Sequence, residues 1–73
     1  MAVDTLATPE SSNIQMMVYD DELMSLVVYF NSSGVYEYDG VPTETWYAIK
    51  NSSSKGKALK ALVEKQFVGR RIE

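Results

Sequence analysis

The 73-residue sequence contains no cysteine and no histidine. Without thiols there is no disulfide framework and no thiolate metal site. Without imidazole the commonest general base and zinc ligand is missing. No apolar run approaches the ~20 residues that cross a bilayer. Residues 1–10 carry Asp4 and lack the basic start and continuous apolar stretch of a signal peptide. Together these absences point to the cytoplasm, the host cytoplasm if the protein is viral, with no membrane partner. Positive charge is absent from residues 1–49. All seven basic residues (Lys50, Lys55, Lys57, Lys60, Lys65, Arg70 and Arg71) lie at or beyond position 50, against only Glu64 and Glu73. The net charge of −3 therefore hides a basic end and an acidic remainder. Long duplex nucleic acid is disfavoured by the acidic balance, whereas a short or compact phosphorylated ligand fits the basic end.

The length allows one small domain with a thin core, since a chain of this size buries only about 60% of the surface it exposes when unfolded. A small domain without disulfide or metal staples gains stability by self-association, so a homo-oligomer is expected. Residues 1–10 mix small and polar types with Pro9 and read as a flexible leader to a single domain over 11–73.

Within that domain, Ile14, Met16 and Val18 alternate with Gln15, Met17 and Tyr19, the period of a half-buried strand, and Asp20-Asp21-Glu22 ends it in a polar turn. Met24, Leu26, Val28 and Phe30 share one face of a second strand, with Val27 and Tyr29 on the other. The apolar character of both faces suggests cover on both sides. Asn31-Ser32-Ser33-Gly34 supplies a turn, and Val35-Tyr36-Glu37-Tyr38 returns as a third strand.

Asp39-Gly40-Val41-Pro42 closes the sheet, and a short helix follows from 43 to about 51 with Trp46 and Ile49 on its inner face. A second helix over about 54–66 presents Leu59, Leu62, Val63 and Phe67 as one stripe, with Lys60 and Glu64 spaced to pair. Gly69 ends the pattern, and 70–73 is a tail whose Ile72 docks. The expected class is α+β: a three-stranded antiparallel meander followed by two short helices packed on one face.

Ser52-Ser53-Ser54-Lys55-Gly56-Lys57 opens the second helix. A helix start leaves backbone N–H groups unpaired and carries partial positive charge, so hydroxyls, a glycine and two lysines there suit a phosphate or carboxylate. Ser-x-x-Lys also begins ordinary solvated helices, with Ser as cap. Tyr36 and Tyr38, two apart on a strand, share a face. They either stack on a base beside Lys55 and Lys57, or cover the helices or a subunit contact. No residues look committed to catalysis: the Ser-Lys match lacks the context of the hydrolases that use it, and the acids at 20–22, 37 and 39 read as solvated. No catalytic residue, metal or cofactor is expected.

The chain resembles the KTSC domain family, named for the C-terminal extension of some lysyl-tRNA synthetases and found also as stand-alone bacterial and phage proteins. The pieces that carry the resemblance are Ser11-Ser12-Asn13-Ile14, Tyr19-Asp20, the alternating Leu26, Val28 and Phe30, Gly34-Val35-Tyr36-Glu37-Tyr38, Val41-Pro42 and Ser54-Lys55-Gly56-Lys57. Their order and spacing span 11 to about 67. The resemblance implies a β-β-β-α-α binding module that contacts RNA and has no catalytic residue. It gives weight to Tyr36, Tyr38, Ser54, Lys55 and Gly56. The expected function is capture of a phosphate-bearing, nucleotide-type ligand by Tyr36, Tyr38, Ser54, Lys55, Gly56 and Lys57. By analogy with other viral sponges, this extends to a phage protein that sequesters a cyclic nucleotide immune signal in anti-defence. RNA binding through Lys57, Lys60, Arg70 and Arg71 and a protein–protein interaction module are the alternatives.

Overall fold

The computed structural model of the chain describes residues 3–8 and 11–73. Five strands, β1 (Val3–Ala7), β2 (Ile14–Asp20), β3 (Ser25–Phe30), β4 (Val35–Asp39) and β5 (Gly69–Arg71), form one antiparallel sheet in the order β1-β2-β3-β4-β5. Between β4 and β5 the chain makes α1 (Thr43–Lys50) and α2 (Lys55–Leu59), and α2 runs on into a π-helical turn (Lys60–Glu64). The α+β class and the meander through β2, β3 and β4 hold. The count of three strands is corrected to five.

Both added strands are edge additions. Residues 3–7 form β1 rather than part of a flexible leader; the leader's residues 1, 2, 9 and 10 lie outside the described residues. β5 takes over part of the expected tail and pairs Tyr36↔Arg71, Glu37↔Arg70 and Tyr38↔Gly69. Its backbone closeness to β4 requires glycine, because a Cβ on Gly69 would lie 2.4 Å from Tyr38 Cε2. Ile72 docks through its backbone, its N–H donating to the Val35 carbonyl at 2.8 Å, while its side chain stays 47% exposed.

The core lies between one sheet face and the helices. Ile14, Met17, Tyr19, Leu26, Val28 and Tyr38 come from the sheet, Val41 from the loop after it, and Trp46, Ile49, Leu59 and Val63 from the helical layer. In β2 the inward set is Ile14, Met17 and Tyr19, so the expected grouping of Met16 and Val18 with Ile14 is corrected. The β2–β3 register shifts between Ile14 and Met16. Such a bulge inserts one residue and flips every later side chain to the opposite face.

Met24 leaves the β3 face as well. It sits in the β2–β3 turn at φ 50, and its carbonyl accepts from Val41 N–H at 2.9 Å. Gly34 supplies the φ of +100 that its turn needs.

In the helical layer, Trp46 and Ile49 of α1 are buried as the spacing predicts. Trp46 stacks on Tyr19 with ring centroids 5.3 Å apart, and the Tyr19 hydroxyl donates to the Val41 carbonyl at 2.6 Å. The second helix keeps its apolar stripe: Leu59 and Val63 are fully buried, with Leu62 and Phe67 packed against them. Its end widens, Lys65 N–H donating to the Lys60 carbonyl in the i→i+5 pattern of a π turn. The Lys60–Glu64 pair is absent from the ion pairs of the described residues; Arg70 instead pairs with Glu37 and, at 3.4 Å, with Asp39. No helix of the described residues is long and apolar enough to cross a membrane.

Candidate functional site

The start of α2 faces the end of β1 and the loop that leads into β2. Thr8, Ser11, Ser12, Ser53, Ser54, Lys55 and Gly56 line a pocket of about 360 Å³ between them. Two of these side chains build the wall. Thr8, 1% exposed, donates from Oγ1 to the Ile14 carbonyl at 2.7 Å. Ser11 Oγ accepts from the N–H groups of Asn13 and Ile14 at 3.2 and 3.1 Å, a local turn that fixes the loop.

The opposite wall is set by Ser52. Its Oγ accepts from Ser54 N–H at 3.1 Å, and Lys55 Nζ donates to its carbonyl at 2.8 Å, so the ammonium is held at the mouth of the helix. Ser54 occupies the N-cap position, but its side chain makes no capping hydrogen bond. Ser54 therefore does not act as a simple cap. The first N–H of the turn with a backbone partner is that of Ala58, which reaches the Ser54 carbonyl at 3.0 Å.

Gly56 is in this pocket without a packing reason. A Cβ there would meet Ser11 Oγ and Ile14 Cδ1 at 3.9 Å, ordinary contact distances. Alanine would also favour the helix by about 0.5–1 kcal/mol. The glycine costs stability and leaves the backbone at this point of the pocket uncovered by a side chain.

The structure thus brings together Ser54, Lys55 and Gly56 and separates the rest of the expected set. Tyr38 is 6% exposed within the core, and burial pushes its phenol pKa up. Tyr36 is half-buried, edge-on to Phe30 at 5.6 Å. Neither tyrosine lines the pocket, so of their two readings the one as cover for the helices matches the packing. Lys57 is exposed and also outside the lining. Sequence reasoning missed Thr8, Ser11 and Ser12 as lining residues and had Ser53 only as part of the Ser52–Lys57 stretch. Ser11 and Ser12 were legible as turn chemistry, but their meeting with α2 is a tertiary event.

A second cleft, of about 290 Å³, lies over Trp46 and is lined by Val3, Asp4, Tyr19, Asp21, Thr43 and Tyr47 as well. Its carboxylate at Asp4 is already engaged: Oδ2 accepts from Lys50 Nζ at 2.6 Å and from Trp46 Nε1 at 3.0 Å. The hydrogen bond from Lys50, then that from Trp46, hold the Asp4 carboxyl below its ordinary 3.8. A carboxylate whose pKa is depressed on folding stabilises the fold above its unfolded pKa, and the contribution is lost as pH falls through the lower folded value. Urea midpoints measured from pH 6 down to pH 2 are expected to drop for the wild type in the range below 3.8. Asp4→Asn should be weaker at pH 6 and should flatten that acid drop; an identical pH profile would contradict the assignment.

The KTSC domain description matches residues 10–67 of the chain. A protein of Nostoc punctiforme named lysine–tRNA ligase is 32% identical over 62 residues, covering 85% of this chain. The chain spans only 11% of that protein's length. An uncharacterized protein of Stutzerimonas stutzeri is 32% identical over 57 residues, covering 78% of this chain and 80% of its own. Among solved structures, the crystal structure of a KTSC domain protein from Yersinia pestis superposes with a TM-score of 0.87 at 28% identity, over 99% of this chain and 100% of that one.

Proposed function

The chain belongs to the KTSC domain family, and from that premise we propose that it is a non-enzymatic binding module whose pocket at the start of α2 holds the phosphate group of a small ligand. The observation that carries this reading is the lining itself: among the described residues it is four serines and a threonine, one ammonium and a glycine backbone, without a carboxylate. Such a surface offers donors and one positive charge, the complement of a phosphate oxygen cluster. Lys55 Nζ donates to the Ser52 carbonyl and so acts as a cation rather than as the base of a Ser-Lys pair. Neither tyrosine lines the pocket and Tyr38 is buried, which removes base stacking from the proposal. Recognition rests on the phosphate and on whatever the remainder of the 360 Å³ accepts. A nucleotide-type ligand, including a cyclic nucleotide signal held by a cytoplasmic or phage sponge, is the form this takes if the ligand carries a base.

Calorimetry against inorganic phosphate, mononucleotides and cyclic di- and trinucleotides tests it. At least one phosphate-bearing compound is expected to bind, and Lys55→Ala should weaken it about tenfold, the loss of one charge-assisted contact of about 1.5 kcal/mol. Tyr38→Phe should leave binding unchanged. Silence across the panel, or equal binding by Lys55→Ala, would overturn the proposal.

The lysine–tRNA ligase relative favours RNA as the second reading. It predicts affinity that falls steeply with salt and depends on Lys57 and Lys60. A gel shift insensitive to both would remove it. Arg70 is a poor phosphate ligand in this reading because Glu37 and Asp39 already hold it.

A further inference from the structure

We infer that β1 is a dimerisation edge, pairing antiparallel with β1 of a second copy about a two-fold axis at Thr5, so that two five-stranded sheets become one. The direction of the backbone groups comes from the ladder. Thr8 N–H donates to the Gln15 carbonyl at 3.2 Å, and the register that sets Ala7 opposite Met16 sets Thr8 opposite Gln15. Bonded and non-bonded pairs alternate along an antiparallel ladder. The backbone groups of Asp4, Leu6 and Thr8 therefore turn towards β2, and those of Val3, Thr5 and Ala7 point out of the sheet. Among the described residues β1 pairs with β2 alone, and Val3, Thr5 and Ala7 are exposed.

An edge of this kind is normally guarded by lysine, proline, a bulge or shortness. β1 has none of these: it is five residues long, its register with β2 is unbroken, and its one charge is Asp4. That carboxylate lies on the helix side, held by Lys50 and Trp46, so it does not oppose a second strand.

The occupant follows from self-complementarity. With Thr5 on the axis, Val3 meets Ala7 of the other copy and Asp4 meets Leu6, so no like charges face each other. All three outward-facing residues then meet outward-facing residues. The opposite edge behaves differently. β5 has three residues, two of them Arg70 and Arg71, and its pairing with another β5 would bring guanidinium groups together. Pairing of β1 with β5 of another copy would be head-to-tail and would propagate instead of closing. Closure at β1 is the arrangement that the charges allow.

Light scattering on the full chain at micromolar concentration is expected to give twice the 8.2 kDa chain mass. Thr5→Pro deletes the central outward N–H while leaving the groups bonded to β2 untouched, and an edge strand tolerates it. It should halve the mass with the circular dichroism spectrum retained. Thr5→Lys, which sets two ammonium groups across the axis, should do the same and covers the case in which proline disturbs the fold. Arg70→Ala should keep the wild-type mass. A wild type of one chain mass, a doubled mass that survives both Thr5 substitutions, or a mass halved by Arg70→Ala alone would overturn the inference.

Discussion

Trp46→Ala is expected to cost about 3–5 kcal/mol, the range for truncating a fully buried large aromatic. A domain of this length holds only roughly 4–11 kcal/mol, from about 0.05–0.15 kcal/mol per residue, so the variant should sit close to the unfolded state in water. Three links make Trp46 this important. It is 1% exposed, it stacks on Tyr19 at 5.3 Å with an interplanar angle of 16°, and its Nε1 donates to Asp4 at 3.0 Å. Through Tyr19 it reaches Val41 and the entry to α1; through Asp4 it ties the edge strand to the helix. Truncation leaves a void that a thin core cannot collapse into, and it also deprives Asp4 of a donor. Trp46→Phe keeps an aromatic ring against Tyr19 and loses the indole N–H. It should cost about 1–3 kcal/mol, the hydrogen bond plus a small cavity. Urea unfolding followed by circular dichroism separates the two. A Trp46→Ala midpoint equal to that of the wild type would show that the indole is not what holds the helical layer to the sheet.

The parts of the fold legible in the sequence are those where side-chain period and burial coincide. Leu26, Val28 and Phe30 alternate and do face the helices; Trp46 and Ile49, three apart, do lie on one side of α1; Leu59 and Val63 do anchor the second helix. What escaped the sequence has physical causes. In β1 and the residue that follows it the inward positions are Asp4, Leu6 and Thr8, so two of these three are polar and the alternation reads backwards. Asp4 and Thr8 are tolerated there only because Lys50, Trp46 and the Ile14 carbonyl satisfy them. β5 is held by backbone pairing to β4 and carries no apolar pattern at all. The bulge at Gln15 has no side-chain signature, yet it reassigns Met16, Met17, Val18 and Tyr19 between faces. The candidate site was half legible for the same reason. Ser54, Lys55 and Gly56 belong to one local motif, whereas Thr8, Ser11 and Ser12 join them only through the packing of α2 against the β1–β2 loop. The tyrosine pair was right as a shared face, but that face is the inner one.

Gly56→Asp is expected to abolish binding of a phosphate-bearing ligand, by about 100-fold or more, with the folded state intact or strengthened. The two halves of that outcome have separate causes. An added Cβ at position 56 finds Ser11 Oγ and Ile14 Cδ1 at 3.9 Å, so the backbone need not move. A carboxylate in the first turn of a helix is favourable by about 0.3–1 kcal/mol, and leaving glycine behind removes a helix penalty of similar size. Inside the pocket the same carboxylate stands where the ligand's anion would sit, and like charges forced together cost several kcal/mol, each 1.4 kcal/mol being tenfold in affinity. Gly56→Ala isolates space from charge. It should raise the unfolding midpoint and weaken binding by a smaller factor, through the lost close approach to the backbone. A purely structural glycine would give the reverse pattern, with both variants less stable and binding lost only in proportion to unfolding. A phosphate-bearing ligand bound by Gly56→Asp as tightly as by the wild type would move the site elsewhere on the molecule. Stability and affinity changing in opposite directions is the signature of a residue retained for the pocket against the preference of the helix that contains it.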